Sequence, residues 1–134
     1  MIKNVLAILM FALLIAAVAS CKKKTTAPTE ANLVVQTTPA NQSNNLNILG
    51  PDFPLKVEIT SAMPPNGVKI EVSANKDGSS DPAFFTSTNN TSAPQNNYTI
   101  TNTPSGVTCV VNITVTSLTQ ASNVWKGSYR YSKK

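Results

Sequence analysis

The sequence predicts an all-β domain, an antiparallel two-sheet sandwich of about seven or eight strands, set behind an N-terminal apolar segment. Two observations predict it. From about Asn32 onward, apolar and polar residues alternate with a period of two in one segment after another, the pattern of half-buried strands. Clusters of Pro, Gly, Asn and Asp separate these segments at short intervals. No segment after Cys21 carries an apolar stripe of helical period.

The chain starts MIKN and continues VLAILMFALLIAAVAS, so that Val5 to Ser20 holds no charged residue. A basic start, an apolar core and a small-residue end predict a secretory signal over residues 1–20. The run is shorter than the roughly 20 residues of a membrane-spanning helix. Its last residues, Val18-Ala19-Ser20-Cys21, resemble the bacterial lipobox: an aliphatic residue, two small ones and a cysteine. The resemblance implies a bacterial lipoprotein, with cleavage between Ser20 and Cys21, a diacylglycerol on the Cys21 sulfur and an acylated, palmitate-type amino terminus. Two or more chains hold a protein stably where one does not.

Lys22, Lys23 and Lys24 follow. They read either as headgroup contacts, each adding on the order of 1 kcal/mol of attraction to anionic lipid, or as a solvated spacer. In some bacteria acidic residues at this point influence sorting between membranes or to the surface; here lysines stand instead. Residues 21–31, with Pro28 among Thr and Ala and no apolar period, read as the lipidated cysteine and a flexible tether. Ten extended residues reach roughly 35 Å. The expected sandwich then covers residues 32–134, the size of one domain.

Within it, PLKVEITSA sets Leu55, Val57 and Ile59 against Lys56, Glu58 and Thr60. GVKIEVSAN repeats this with Val68, Ile70 and Val72 against Lys69, Glu71 and Ser73. VTCVVNITV places Val107, Cys109, Val111, Ile113 and Val115 inward and Thr108, Asn112, Thr114 and Thr116 outward. Shorter candidates are NLVVQT, LNIL, AFFTS, NYTIT and NVWKGSYRYS. Turns are expected at Gly50-Pro51, Pro64-Pro65-Asn66-Gly67, Asp77-Gly78 and Pro104-Ser105-Gly106. If the strands flanking Asn66-Gly67 pair directly, Lys56 opposite Glu71 and Glu58 opposite Lys69 is the attractive register; if they lie in opposite sheets, no such register applies.

Strands of this number and spacing suggest an immunoglobulin-like or fibronectin-like sandwich. The segment YTITNTPSGVTCVVNITVTS resembles the join between the two late strands of immunoglobulin domains, a loop ending in x-Gly that leads into a long alternating strand. Thr108 stands where that family has its corner tyrosine, no second cysteine is placed to pair with Cys109, and the only tryptophan is on the last strand.

Eleven Lys and Arg against six Asp and Glu give a formal net charge of +5. The excess sits at the two ends, Lys22 to Lys24 and Lys126, Arg130, Lys133 and Lys134, and not on a basic face. No nucleic-acid footprint is expected. Outward positions are mostly Thr, Asn and Ser, a surface without strong fields. Triplets such as Asn97-Tyr98-Thr99 read as composition, not as glycosylation sites.

There is no histidine, which removes the commonest general base. Glu58 and Glu71 sit mid-strand beside lysines, unlike the converging acids of a glycosidase. The expectation is a non-enzyme with no cofactor. Cys109, among valines, reads as buried and inert and not as a reactive thiol. One metal candidate is SANKDGSSD, where Asp77, Gly78 and Asp81 resemble the start of a calcium loop; Phe84 takes the place of the closing glutamate, and a plain exposed turn is the preferred reading. On the last strand Trp125, Gly127, Tyr129 and Tyr131 share a face. Exposed, Trp125, Tyr129 and Tyr131 could stack on sugar rings; the preferred reading places them in the core.

Together these point to a membrane-anchored, non-enzymatic lipoprotein of the bacterial cell envelope, expected at the outer membrane, acting as a structural or protein-interaction module. The alternative is a glycan-binding lipoprotein using the last-strand aromatics.

Overall fold

The computed structural model describes residues 29–44 and 46–134; the apolar segment, the expected lipobox with Cys21 and the three lysines after it lie outside the described residues. The described chain is all-β. Eight strands run in order: β1 Val35–Thr38, β2 Leu46–Ile48, β3 Phe53–Ile59, β4 Val68–Lys76, β5 Phe85–Thr91, β6 Gln95–Ile100, β7 Thr108–Ser117 and β8 Val124–Lys133. They form two sheets, β1-β3-β6 and β2-β8-β7-β4-β5.

Every neighbouring pair is antiparallel except β2 and β8, which run parallel. The chain therefore begins in the smaller sheet, crosses between Thr38 and Leu46, and continues at the edge of the larger one. The Thr38-Pro39 peptide at the start of that crossing is cis. This is the order of an immunoglobulin-like sandwich, with β5 retained beside β4 and not moved to the edge of β6 as in the four-plus-three constant-domain arrangement.

The alternation in the sequence decides which side chains meet. β3 buries Phe53, Leu55, Val57 and Ile59; β4 buries Val68, Ile70, Val72 and Ala74; β7 buries Cys109, Val111, Ile113 and Val115; β8 buries Tyr129 and Tyr131. These residues from both sheets form one core. Each buried aliphatic side chain contributes about 1.5–3 kcal/mol of transfer free energy. Across the sheets, the Phe53 and Tyr131 rings lie 4.8 Å apart at 49°, and Tyr129 follows 6.0 Å from Tyr131. Val107, expected inward, is 37% exposed. It precedes the strand, in the turn with Gly106 at φ +76°, and the alternation begins only at Thr108.

β3 and β4 lie in opposite sheets, so the charge register between them does not arise. Their ions pair within each strand, Lys56 with Glu58 at 2.7 Å and Lys69 with Glu71 at 3.0 Å. Residues two apart share a face of a strand, which brings each pair together.

Pro54 marks where β1 leaves β3. Ile59 N–H donates to Pro94 and Thr60 N–H to Val34, so odd residues of β3 bond towards β6 and even ones towards β1. Pro54 falls on the β1 side, beyond the last pair Thr38–Lys56, where its missing N–H costs no ladder bond. At Gly67 the turn needs a glycine: φ is +78°, and a Cβ would stand 2.5 Å from the Thr91 carbonyl oxygen.

Candidate functional site

Two ends of the sandwich carry the groups with chemistry in them. At the end where β3 finishes and β8 begins, the chain enters the domain through a polar latch. Asn123, in the β7–β8 connection, donates from Nδ2 to Glu30 Oε1 at 2.6 Å and to the Ala31 carbonyl at 2.9 Å, and accepts from Leu33 N–H at 3.0 Å. The Ser117 hydroxyl donates to Glu30 Oε2 at 3.0 Å and accepts from the N–H groups of Thr119 and Gln120 at 3.0 Å each. Ser117 is buried, and its hydroxyl bonds with all three groups.

Two loops join the same end. Leu118 N–H donates to the Gly67 carbonyl at 3.0 Å and Asn66 N–H to the Thr119 hydroxyl at 3.0 Å, tying the β3–β4 turn to the β7–β8 turn. A cavity of about 360 Å³ lies here between Glu30, Ala31, Met63, Pro65 and Thr119. Glu30 and Ala31 thus belong to the folded body although their composition matches the tether. No sequence pattern could show it, because the partners are some ninety residues apart and each is an ordinary loop residue.

Two of the last-strand aromatics, Tyr129 and Tyr131, lie towards the opposite end, and Trp125 stands near the start of β8. Tyr131 is fully buried and Tyr129 is 2% exposed. The Tyr131 hydroxyl bonds the buried Thr103 hydroxyl at 2.7 Å, fixing the β6–β7 connection to β8. Burial, with a smaller opposing effect of the Thr103 bond, pushes the Tyr131 hydroxyl up to about 12; burial raises Tyr129 as well. Trp125 is half-buried and packs on the core edge over Gly127, where a Cβ would meet the indole at 2.2 Å. The three rings of the alternative sugar-platform reading are not exposed together: Tyr129 and Tyr131 lie in the core, and Trp125 is half-buried at its edge.

Asp77 and Asp81 do not stand as free oxygens. Arg130 Nε donates to Asp77 Oδ2 at 2.7 Å, and Lys76 Nζ pairs with Asp81 Oδ2 at 3.1 Å. The Lys76 hydrogen bond, then the Ser79 hydroxyl, hold Asp81 below the usual carboxylate range, and Asp77 holds Arg130 above its ordinary value. Each carboxylate is thus paired with a cation of the chain itself. Among the described residues, no three of His, Cys, Asp and Glu come together as a metal-binding group. Asp77 N–H donates to the Thr108 carbonyl, and the loop is a turn on the end of β4.

Cys109 is buried, and burial, with the nearby Asp77 charge, pushes its thiol up. That setting favours the unreactive protonated form. Glu58 and Glu71 face outward from opposite sheets, each beside its own lysine. They share no cleft. Another concave feature is an open groove of about 430 Å³ where β1 leaves β3, lined by Pro39, Ile48, Pro54 and Tyr98. Leu49, 79% exposed, follows β2 nearby.

Comparison with protein-family models, curated proteins and solved structures finds no match to this chain.

Proposed function

We propose that this protein is a lipid-anchored, non-enzymatic module of the bacterial cell envelope, held at the outer membrane through Cys21 and serving as a structural or protein-interaction element there. The latch is the observation that carries the reading. Residues 22–29 are all that separate a cysteine in a lipid-attachment sequence from a chain fixed at Glu30 to one end of a sandwich. An anchor on so short a connection holds the body within roughly 30 Å of the lipid, with the β3–β4 and β7–β8 turns nearest. No acidic residue follows Cys21 directly, which supports retention in the envelope over redirection by such a signal.

The non-enzymatic part rests on what the polar groups are already doing. The chain has no histidine, its mid-strand carboxylates are paired on outer faces, and Cys109 is buried. An interaction role suits a neutral, hydroxyl- and amide-rich surface, and a fold of this kind serves many such roles.

Labelling of cells with radioactive palmitate, followed by fractionation, tests the anchor. The full chain should carry label and sediment with the outer membrane; Cys21→Ala should lose both. An unlabelled wild-type chain, or a Cys21→Ala chain still in the membrane fraction, would overturn the reading. Broad-protease digestion of intact against lysed cells then decides which side of the membrane the body occupies.

A further inference from the structure

The two sheets expose four edge strands, and they are not equally protected. β1 has only four residues, and Pro54 removes the donor on β3 just beyond it. β2 has three residues and runs into Gly50-Pro51. Short edges and prolines are the means by which proteins prevent sheets from joining edge to edge. On the other side of the sandwich, β5 carries neither device, and β6 only Pro94 just before its first residue. β5, at seven residues, is the longest edge, and its register with β4 runs unbroken from Thr91 to Phe85.

Its sequence, FTSTNNT, has no charge and no proline, and the chain has no charged residue anywhere from Pro82 to Trp125. Thr86, Thr88 and Asn90 are exposed on the outer face of the larger sheet. The ion pair on the neighbouring strand, Lys69 with Glu71, is closed on itself. Nothing at this edge repels an approaching strand.

We propose that β5 is a self-association edge, where a second copy of this chain adds its own β5 in antiparallel fashion about a two-fold axis at Thr88. That register sets Thr86 beside Asn90 of the second copy, Ser87 beside Asn89, and Thr88 beside Thr88. The exposed pairs, Thr86 with Asn90 and Thr88 with Thr88, combine hydroxyl and amide groups able to bond one another, while Asn89 is held within its own chain by the Tyr98 hydroxyl; no like charges meet. The two five-stranded sheets become one continuous ten-stranded sheet, with the unmet backbone groups of both edges paired.

β6 is the competing edge, one residue shorter. Two of its amides are engaged within the chain, Gln95 reaching Glu58 at 3.5 Å and Asn96 donating to the Ala93 carbonyl at 2.9 Å, against one on β5, Asn89, which accepts from the Tyr98 hydroxyl. Antiparallel pairing leaves the two Glu30 latches at opposite ends of the dimer. The association itself does not depend on the lipid anchor.

Cysteine cross-linking of the full chain tests the pairing. Directly opposite residues of antiparallel strands have Cα atoms about 4.5–5.5 Å apart, within disulfide reach. In a Cys21→Ser background, so that Cys21 forms no cross-link whether or not it is lipidated, Thr88→Cys treated with copper–phenanthroline should run as a dimer that reductant reverses. Asn97→Cys on β6 and Asn47→Cys on β2 should remain monomers. In sedimentation velocity, the Cys21→Ser chain should show twice the chain mass and its Thr88→Lys derivative once. A monomeric Thr88→Cys chain, equal cross-linking from Asn97→Cys, or an unchanged mass for Thr88→Lys would overturn the proposal. Circular dichroism confirms that each variant keeps its sheets.

Discussion

Where β3 begins and β8 ends, the sandwich is filled by rings: Phe53 against Tyr131, Tyr131 against Tyr129, and one buried hydrogen bond to Thr103. Where β3 ends and β8 begins, the buried core residues are aliphatic, Val35, Ile59, Val68 and Val115, with half-buried Trp125 at their edge, and a polar network of Glu30, Ser117 and Asn123 closes that end. One end is closed by volume and the other by hydrogen bonds. Loss at the first end should scale with the cavity left behind, and at the second with the number of groups left unpaired.

The sharpest contrast should come from Phe53→Ala. Removing a fully buried ring should cost about 3–5 kcal/mol, read as a lower midpoint in equilibrium denaturation. A much smaller loss would mean that the aromatic end collapses onto the space, and the comparison would fail there.

High pH should weaken the same end next. Tyr131 remains protonated in the folded chain up to about 12, whereas an unfolded tyrosine ionises near pH 10. Its folded value is raised, so its contribution is complete below about pH 10 and is lost as pH rises to about 12. A difference of about two pKa values corresponds to about 3 kcal/mol, and buried Tyr129 carries the decline further. Tyrosinate absorbance should appear together with unfolding, and Tyr131→Phe should flatten the slope in that window. A tyrosinate signal completed while the sheets persist would show the rings to be open to solvent.

At the latch, Asn123→Ala should cost about 1–3 kcal/mol, because Leu33 N–H and the Glu30 carboxylate each lose a partner. The segment before Leu33 should also be cut sooner in limited proteolysis. A loss equal to that of Phe53→Ala would show the two ends to be one cooperative unit with no difference in kind.

The aromatic end was legible in the sequence and the latch was not. Period-two alternation through VTCVVNITV and WKGSYRY places Cys109, Tyr129 and Tyr131 on inward faces, since side-chain direction in a strand follows from position alone. The same rule identified the strand cores of PLKVEIT and GVKIEVS. It could not say that β3 and β4 belong to different sheets, because a turn of Pro-Pro-Asn-Gly serves a hairpin and a crossing equally well. Nor could it say which faces stay open: Trp125 has the same parity as Tyr131 but sits at the edge of the core, half-covered. The Asp77 and Asp81 carboxylates looked available until Arg130, from a strand fifty residues on, was placed against one of them. Glu30 was unreadable for the same reason.

The parallel pairing of β2 with β8 has a mechanical consequence. The chain enters at the Glu30 end and runs through β1 and β2 towards the far end, and β8 runs the same way beside β2. A pull on the entering chain against a load gripped at Lys133 draws these two strands past each other along their length. Their bonds are then strained in shear and must yield together, where a hairpin pulled from its open end would unzip one rung at a time. Three paired rungs, Leu46–Tyr131, Asn47–Ser132 and Ile48–Lys133, thus act as a clamp in the line of force.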